Sequence, residues 1–528
     1  MNEMYLKPNI LAEPLINGWY AWPYLLSPAT GSMFLVHTHM HLMASFVKTP
    51  QIHVAALKNP KMRGGPFLNY PVERAGEIQA LLERTEAENE SLLQLARAIK
   101  ELDEMLETKA DGHSLEPLYP EVPAPLRGYV ELIYDRNNHA SIRFIEALLY
   151  KSPFYNESIQ SVALSHIEGD TRFFLNSTPL LADSNRMILK HPFRDGLWDR
   201  FFGMKDKPGP VGEIADSLGV EDRDRALFES FFTTTPPRQA PRFAGEGVRV
   251  RYFGHACVLI ETRDVAILCD PLISYEYPSD LERLTYADLP EKIDYVLITH
   301  SHQDHVMFES LLQLRARIGT VVVPKSNGGA LVDPSLRLAL RAIGFPSVRE
   351  IDELETIDIP GGSIMGLPFL GEHADLNVRS KMAHRVALLG KTFLMAADSD
   401  NIEPLLYEHL RAIVGPIDVL FLGMECDGAP MSWAMGALFT KRISRKMDQS
   451  RRFTGSDYEK AMDIVNRLGV GEVYVYAMGG EPWLAHLMAI DYTATSKPIV
   501  ESDRLVAACA ERHIPAERLF GFKEIHLP

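Results

Sequence analysis

Cysteine is scarce in this chain: 4 in 528 residues, at Cys257, Cys269, Cys426 and Cys509, with no C-x-x-C pair. That excludes a disulfide framework and a thiolate metal site, and it suits a reducing compartment, so a cytoplasmic location is expected. Long apolar runs are missing too. None approaches the roughly 20 residues that a membrane-spanning helix needs, and nothing has the pattern of a secretory signal. Positive charge is in deficit, with 54 Lys and Arg against 70 Asp and Glu and a net charge of −16. Neither nucleic acid nor an anionic membrane surface is therefore an expected partner. Internal repeats and low-complexity tracts are also absent. What is plentiful is hydrophobic residues, 46% of a chain long enough for two or more domains with cores of their own.

A break in organisation falls near residues 236–247. Residues 233–241 read Thr-Thr-Thr-Pro-Pro-Arg-Gln-Ala-Pro, Pro-rich and without apolar periodicity, as a linker should be. The expected division is residues 1–235 and 245–528. In the first part, residues 71–106 predict one charged helix, with Ile78, Leu81 and Leu82 on its apolar side among many Glu. The run His37-Thr38-His39-Met40-His41 sits between apolar neighbours. It is expected to alternate along a half-buried strand and not to bind metal.

The chemistry gathers in the second part. Residues 299–306 read Thr-His-Ser-His-Gln-Asp-His-Val, so His300, His302, Asp304 and His305 form an H-x-H-x-D-H pattern. Residues 293–298 before it are apolar and β-branched and predict a buried strand. The motif therefore lies where a strand empties into a loop. Alternate histidines can converge there on one metal while the Asp-His pair turns toward a second. Imidazoles and carboxylates without thiolate suit Zn, Fe or Mn.

This motif resembles that of the metallo-β-lactamase superfamily, and its flanks extend the likeness. Residues 248–261 look like that fold's opening hairpin, and Val265-Ala266-Ile267-Leu268-Cys269-Asp270-Pro271 like its strand followed by Asp-Pro. The resemblance implies an αββα sandwich for residues 245–528, beside a separate α+β domain at residues 1–235. It implies that Asp270 orients the metal loop and that His255 supports the site without ligating. Downstream, Glu372 and His373 stand where zinc hydrolases place a third histidine. Asp398, ending an apolar strand, stands where the superfamily puts its bridging carboxylate, with Asp400 as a supporting residue. Such a carboxylate serves two cations about 3.5–4 Å apart.

The pattern then breaks. Tyr458–Leu468 predicts the late helix, Gly469-Val470-Gly471 a turn and residues 473–476 a strand, but no terminal histidine follows. Glu481 and His486 are the tentative substitutes, with His373 a further candidate. Fewer imidazoles and more carboxylate favour iron over zinc. With the two-part layout, these departures resemble the diiron β-hydroxylases of nonribosomal peptide antibiotic pathways, of the chloramphenicol type. The resemblance implies a monooxygenase with two iron ions, O₂ and an external reductase. Its implied substrate is an amino acid, aryl by analogy, held as a thioester on a synthetase carrier domain. Carried over, His300, His302 and Glu372 hold one iron, Asp304 and His305 the other, with Asp398 shared; Glu372 and Asp398 are also the catalytic candidates. Dimerisation and carrier docking are the roles open to the N-terminal part. Lys441, Arg442, Arg445 and Lys446, followed by Arg451 and Arg452, form the basic run expected to receive an acidic carrier. The alternative is a dinuclear Zn²⁺ hydrolase of a lactone, thioester or phosphodiester; a non-catalytic binding module is the third reading.

Overall fold

A computed structural model describes residues 3–528. Two seven-stranded sheets occupy the chain after residue 247. In the first, Ala266–Cys269, Ile293–Leu297, Ile318–Pro324 and Val348–Ile351 run parallel. On their other side lie Cys257–Glu261, Val248–Gly254 and Lys523–Leu527, all antiparallel. The parallel strands carry near-continuous apolar runs because both their faces are covered. The second sheet runs from Thr356–Ile359 through Gly362–Leu367, Ala383–Leu388, Lys391–Met395, Val419–Gly423 and Glu472–Tyr476 to Ala516–Arg518. Between the sheets lies one core containing Val250, Val258, Ile260, Val386, Phe393 and Phe421. Helices Leu405–Val414, Tyr458–Leu468 and Lys497–Glu511 cover the outer face of the second sheet through Leu410, Ile464, Val465 and Leu505. The layers are thus αββα. The late helix spans Tyr458–Leu468, and Gly469 closes it in the left-handed conformation at φ 60°, where glycine carries no Cβ penalty.

The N-terminal part is α+β. A four-stranded sheet pairs Trp19–Tyr20, Ile10–Ile16, Gln160–His166 and Arg186–Leu189 in that order, and helices pack on it. Among the described residues, no sheet takes strands from both sides of residues 234–247. The two parts nevertheless share one core. Trp198 and Phe201 cluster with Leu259, Val296, Phe308 and Leu340, on the outer face of the first sheet. A buried polar cluster pins the junction. The Arg172 guanidinium lies 2.7 Å from Glu13 Oε1 and 2.7 Å from Glu309 Oε2. Tyr20 and Tyr275 hydroxyls donate to the same Glu309 carboxylate at 2.8 and 2.9 Å. Among the described residues, no helix is long and apolar enough to cross a membrane.

Two local expectations are corrected. The charged helix is two helices, Ala75–Glu88 and Glu90–Lys109. Asn89 breaks it, because its amide donates to Thr85 O and Asn17 Oδ1, both at 2.9 Å, and so competes with the helical ladder. The histidine run is not a strand. Leu35–Met40 forms a π-helical turn between helices Pro28–Phe34 and His41–Lys48.

Candidate dinuclear metal centre

The site lies at the carboxyl ends of both sheets, where open α/β sheets place their ligands. Asp270 follows strand Ala266–Cys269, the histidine loop follows Ile293–Leu297, Asp398 follows Lys391–Met395 and Glu425 follows Val419–Gly423. The turns are sharp. Asp270, Glu372, Ala397 and Ala477 all take left-handed φ values, of 37°, 61°, 48° and 53°. Such backbone persists only where the surroundings impose it, and it clusters at functional sites.

Asp270 organises the histidine loop. It accepts from Thr299 N at 2.8 Å and Thr299 Oγ1 at 2.6 Å, and lies 2.8 Å from His305 Nδ1. That contact fixes the His305 ring and turns its Nε2 inward, the usual device for presenting an imidazole to a metal. His305 Nε2 lies 3.3 Å and His300 Nε2 3.6 Å from the same oxygen of Asp398. His302 Nδ1 is 3.0 Å and His300 Nε2 3.9 Å from the Glu372 carboxylate. Asp304 is 3.5 Å from His305 Nε2 and 2.9 Å from His255 Nε2.

Three overlapping donor groups result, each with its ligand atoms within 4.8 Å of one another: His300-His302-Glu372, His300-His305-Asp398 and His255-Asp304-His305. The residues fit a pair of metal ions. The Nε2 atoms of His300, His302 and His305, with Glu372 Oε2 and Asp398 Oδ1, are buried without a hydrogen-bond partner. Each such orphan costs about 1–3 kcal/mol, so five on neighbouring side chains of one site mark a place for cations. The charge balance agrees. Burial, aided by Asp398 and Asp304, pushes Glu372 up to about 7 against the opposing pull of His302. Burial and then Asp398, Asp304 and Glu372 hold Glu425 well above the usual carboxylate range. His300 is held well below the ordinary histidine range by burial and by His305 and His302. Burial opposes charge on His305 also, but Asp304, Asp270 and Asp398 outweigh it and raise that ring.

The structure brings His300, His302, Asp304, His305, Glu372 and Asp398 together. His373 is buried beside them, its ring stacked on His302 at 4.5 Å and its Nδ1 3.0 Å from Glu372, but it joins none of the three groups. Two tentative donors are corrected. Glu481 is engaged elsewhere, accepting from the Tyr252 hydroxyl and from His255 N at 3.2 Å. His486 points its Nδ1 at Trp483 O, 3.0 Å away, and lines a separate small cavity with Arg172 and Glu309. Asp400 is a supporting residue, paired to Lys460 at 2.7 Å. His255 stands closer to the centre than expected, as a member of the third group. Glu425 went unnoticed, although an apolar strand ending in an acid is the same signal that singled out Asp398. Of the aromatics near the site, Phe369 packs its ring 6.0 Å from His300.

Above the donors opens a cavity of about 380 Å³, whose walls include His302, Asp304, Glu372, Asp398 and Glu425. Part of its wall comes from the N-terminal part, with Trp19, Tyr20, Trp22, Phe34 and His39. Arg63 and the 44% exposed Trp433 stand at its mouth, where Arg63 pairs with Asp491 and Trp433 Nε1 donates to Gly64 O at 3.0 Å.

The comparisons with known proteins follow this layout. A family model described as the diiron non-heme beta-hydroxylase N-terminal domain matches residues 5–236, and a beta-lactamase superfamily domain matches residues 249–378. The 4-amino-L-phenylalanyl-[CmlP-peptidyl-carrier-protein] 3-hydroxylase of Streptomyces venezuelae is 41% identical over 97% of this chain and 98% of its own. The chain belongs to the CmlA-type diiron β-hydroxylases. The crystal structure of CmlA, a diiron beta-hydroxylase from Streptomyces venezuelae, superposes with a TM-score of 0.94 at 39% identity and covers 100% of both chains. A UPF0173 protein of Pyrococcus abyssi, 33% identical, matches only 33% of this chain and 69% of its own. Membership in the CmlA type implies two iron ions and O₂ as cofactors, and it favours the oxygenase over the zinc-hydrolase alternative.

Proposed function

We propose that this protein hydroxylates the β-carbon of an aryl amino acid held as a thioester on a nonribosomal peptide synthetase carrier domain, within a chloramphenicol-type antibiotic pathway in the cytoplasm. The observation that carries the reading is the pairing of a two-metal donor set with an aromatic-walled cavity, in a chain 41% identical to a carrier-bound 4-amino-L-phenylalanyl 3-hydroxylase. In this reading His300, His302 and Glu372 would hold one iron and Asp304 and His305 the other, with Asp398 shared by both donor sets. Bound there, the iron pair supplies the O₂ activation that an unactivated C–H bond requires. The chain's own residues do the positioning. Asp270 fixes the His305 ring, His255 braces Asp304, and Phe369 and Phe453 shield the donors from water. The cavity holds the amino acid so that its β-carbon faces the donors, and this alignment is the protein's main contribution to rate. No flavin or iron–sulfur motif is present in the sequence, so the reducing electrons come from an external reductase.

Entry is from the mouth beside the basic run. Arg442, Arg445 and Lys446 are exposed there, whereas Arg451 is tied to Ala374 O at 2.9 Å and Arg452 turns toward the cavity. Of the run expected to dock the carrier, Arg442, Arg445 and Lys446 therefore carry the role and Arg451 does not. Mass analysis with ¹⁸O₂ should show one labelled oxygen added to a carrier-bound aryl amino acid and none to the free amino acid. Reversing Arg442, Arg445 and Lys446 to Glu should slow association with the carrier, as raised salt does. Equal turnover of free and carrier-bound amino acid would sink the carrier requirement.

A further inference from the structure

The π-helical turn Leu35–Met40 has a consequence for what the cavity accepts. A π turn inserts a residue into helical register, and such turns occur frequently at functional sites. Here it leaves His37 half-buried and His41 exposed while His39, 7% exposed, lines the same cavity as the metal donors. The His39 ring lies flat on Trp19, with centroids 4.1 Å apart and planes 5° from parallel. Trp22 and Phe34 stand beside them, edge to face at 5.6 Å, and Trp22 is stacked in turn on Tyr24 at 4.4 Å. This wall is aromatic and buried; Tyr20 lines it too, but its hydroxyl is committed to Glu309 at 2.8 Å, which leaves the His39 imidazole as the lining ring with both a donor and an acceptor to offer. Burial alone pushes His39 down to about 3, with no acidic or hydrogen-bonding neighbour contributing. The ring is therefore neutral at physiological pH, and a neutral imidazole set in aromatic rings is suited to an uncharged polar group, not to an anion.

We propose that His39, positioned by its stack on Trp19, is the residue that selects the substrate's side chain: an aryl ring lying against the wall that Trp22 and Phe34 share with His39, and bearing an uncharged hydrogen-bonding substituent, amino or hydroxyl. The inference rests on the β-hydroxylase reading and adds to it the origin of side-chain selectivity in the N-terminal part. The chemical logic is that of a buried polar partner. An analogue lacking the substituent leaves the imidazole desolvated and unpaired, and the cost of that unmade hydrogen bond is what disfavours it. The thioester end lies toward the mouth at Arg63 and Trp433, so ring and carrier occupy opposite ends of the same cavity.

The test compares 4-aminophenylalanyl, tyrosyl and phenylalanyl forms of one carrier domain, with the iron-loaded full-length enzyme. The wild type should favour the two substituted rings over phenylalanyl by roughly 10–100-fold in kcat/KM, the range for one buried hydrogen bond to a neutral partner. In His39→Leu that preference should collapse to within about threefold, with iron content retained. His39→Asn, which keeps a donor and an acceptor, should restore part of the preference. A merely structural role for His39 would lower all three rates together and leave their ratio unchanged, which would overturn the proposal. Should His39→Leu fail to fold, Trp19→Phe reads the same ratio by loosening the stack, and an unmoved ratio there counts equally against it. A wild type that hydroxylates all three carriers without preference also removes the selectivity claim. A wild type that hydroxylates none of them overturns the functional reading itself.

Discussion

Glu372→Ala is expected to abolish hydroxylation while leaving the fold intact. Glu372 is the carboxylate between His300 and His302, and one of its oxygens is buried without a partner. As a direct donor its loss should exceed the roughly 10–100-fold effect typical of residues that only support a metal ligand. Iron content should fall in parallel, read by elemental analysis after dialysis against a chelator. Stability of the metal-free protein should not suffer, because burial beside Asp398 and Asp304 already disfavours the Glu372 anion. Full hydroxylation by Glu372→Ala would make His373, stacked on His302, the donor in its place.

The second large effect is on stability. Arg172→Met removes the guanidinium that separates Glu13 and Glu309, all three being at most 9% exposed. An uncompensated charge at such a site costs about 3–5 kcal/mol, far more than an exposed pair is worth. Denaturant unfolding should show that loss, and Arg172→Met combined with Glu13→Gln and Glu309→Gln should recover most of it. Because Glu309 belongs to the sandwich and Glu13 and Arg172 to the N-terminal part, the variant should also loosen the wall that carries His39. Unchanged unfolding would mean that the carboxylates are satisfied without Arg172.

What was legible in the sequence was local and periodic. The H-x-H-x-D-H loop, the strand before it and Asp398 at a strand end announce themselves because a parallel strand is apolar on both faces and stops where its ligands begin. The helix Tyr458–Leu468 was readable to the residue, since its apolar period and following Gly469 agree. The rest depended on distant partners. Glu481 carries the right chemistry at nearly the right place, but Tyr252, 229 residues earlier, takes its carboxylate. His255 sits on the opening hairpin and reaches Asp304 only through the pairing of strands far apart in sequence. The histidine run resembled an alternating strand because its spacing of two matches the strand period and the span is too short for the helical period of its apolar neighbours to show. Asn89 shows the same limit: its helix-breaking bond to Asn17 crosses 72 residues.

The central claim is a two-iron centre built from histidines and carboxylates of the sandwich. Elemental analysis of active protein produced with iron and zinc both supplied tests it directly. Close to two iron per chain, with little zinc and with hydroxylation lost on iron removal and regained on its return, is the predicted result. Two tightly held zinc ions per chain in fully active protein would contradict it.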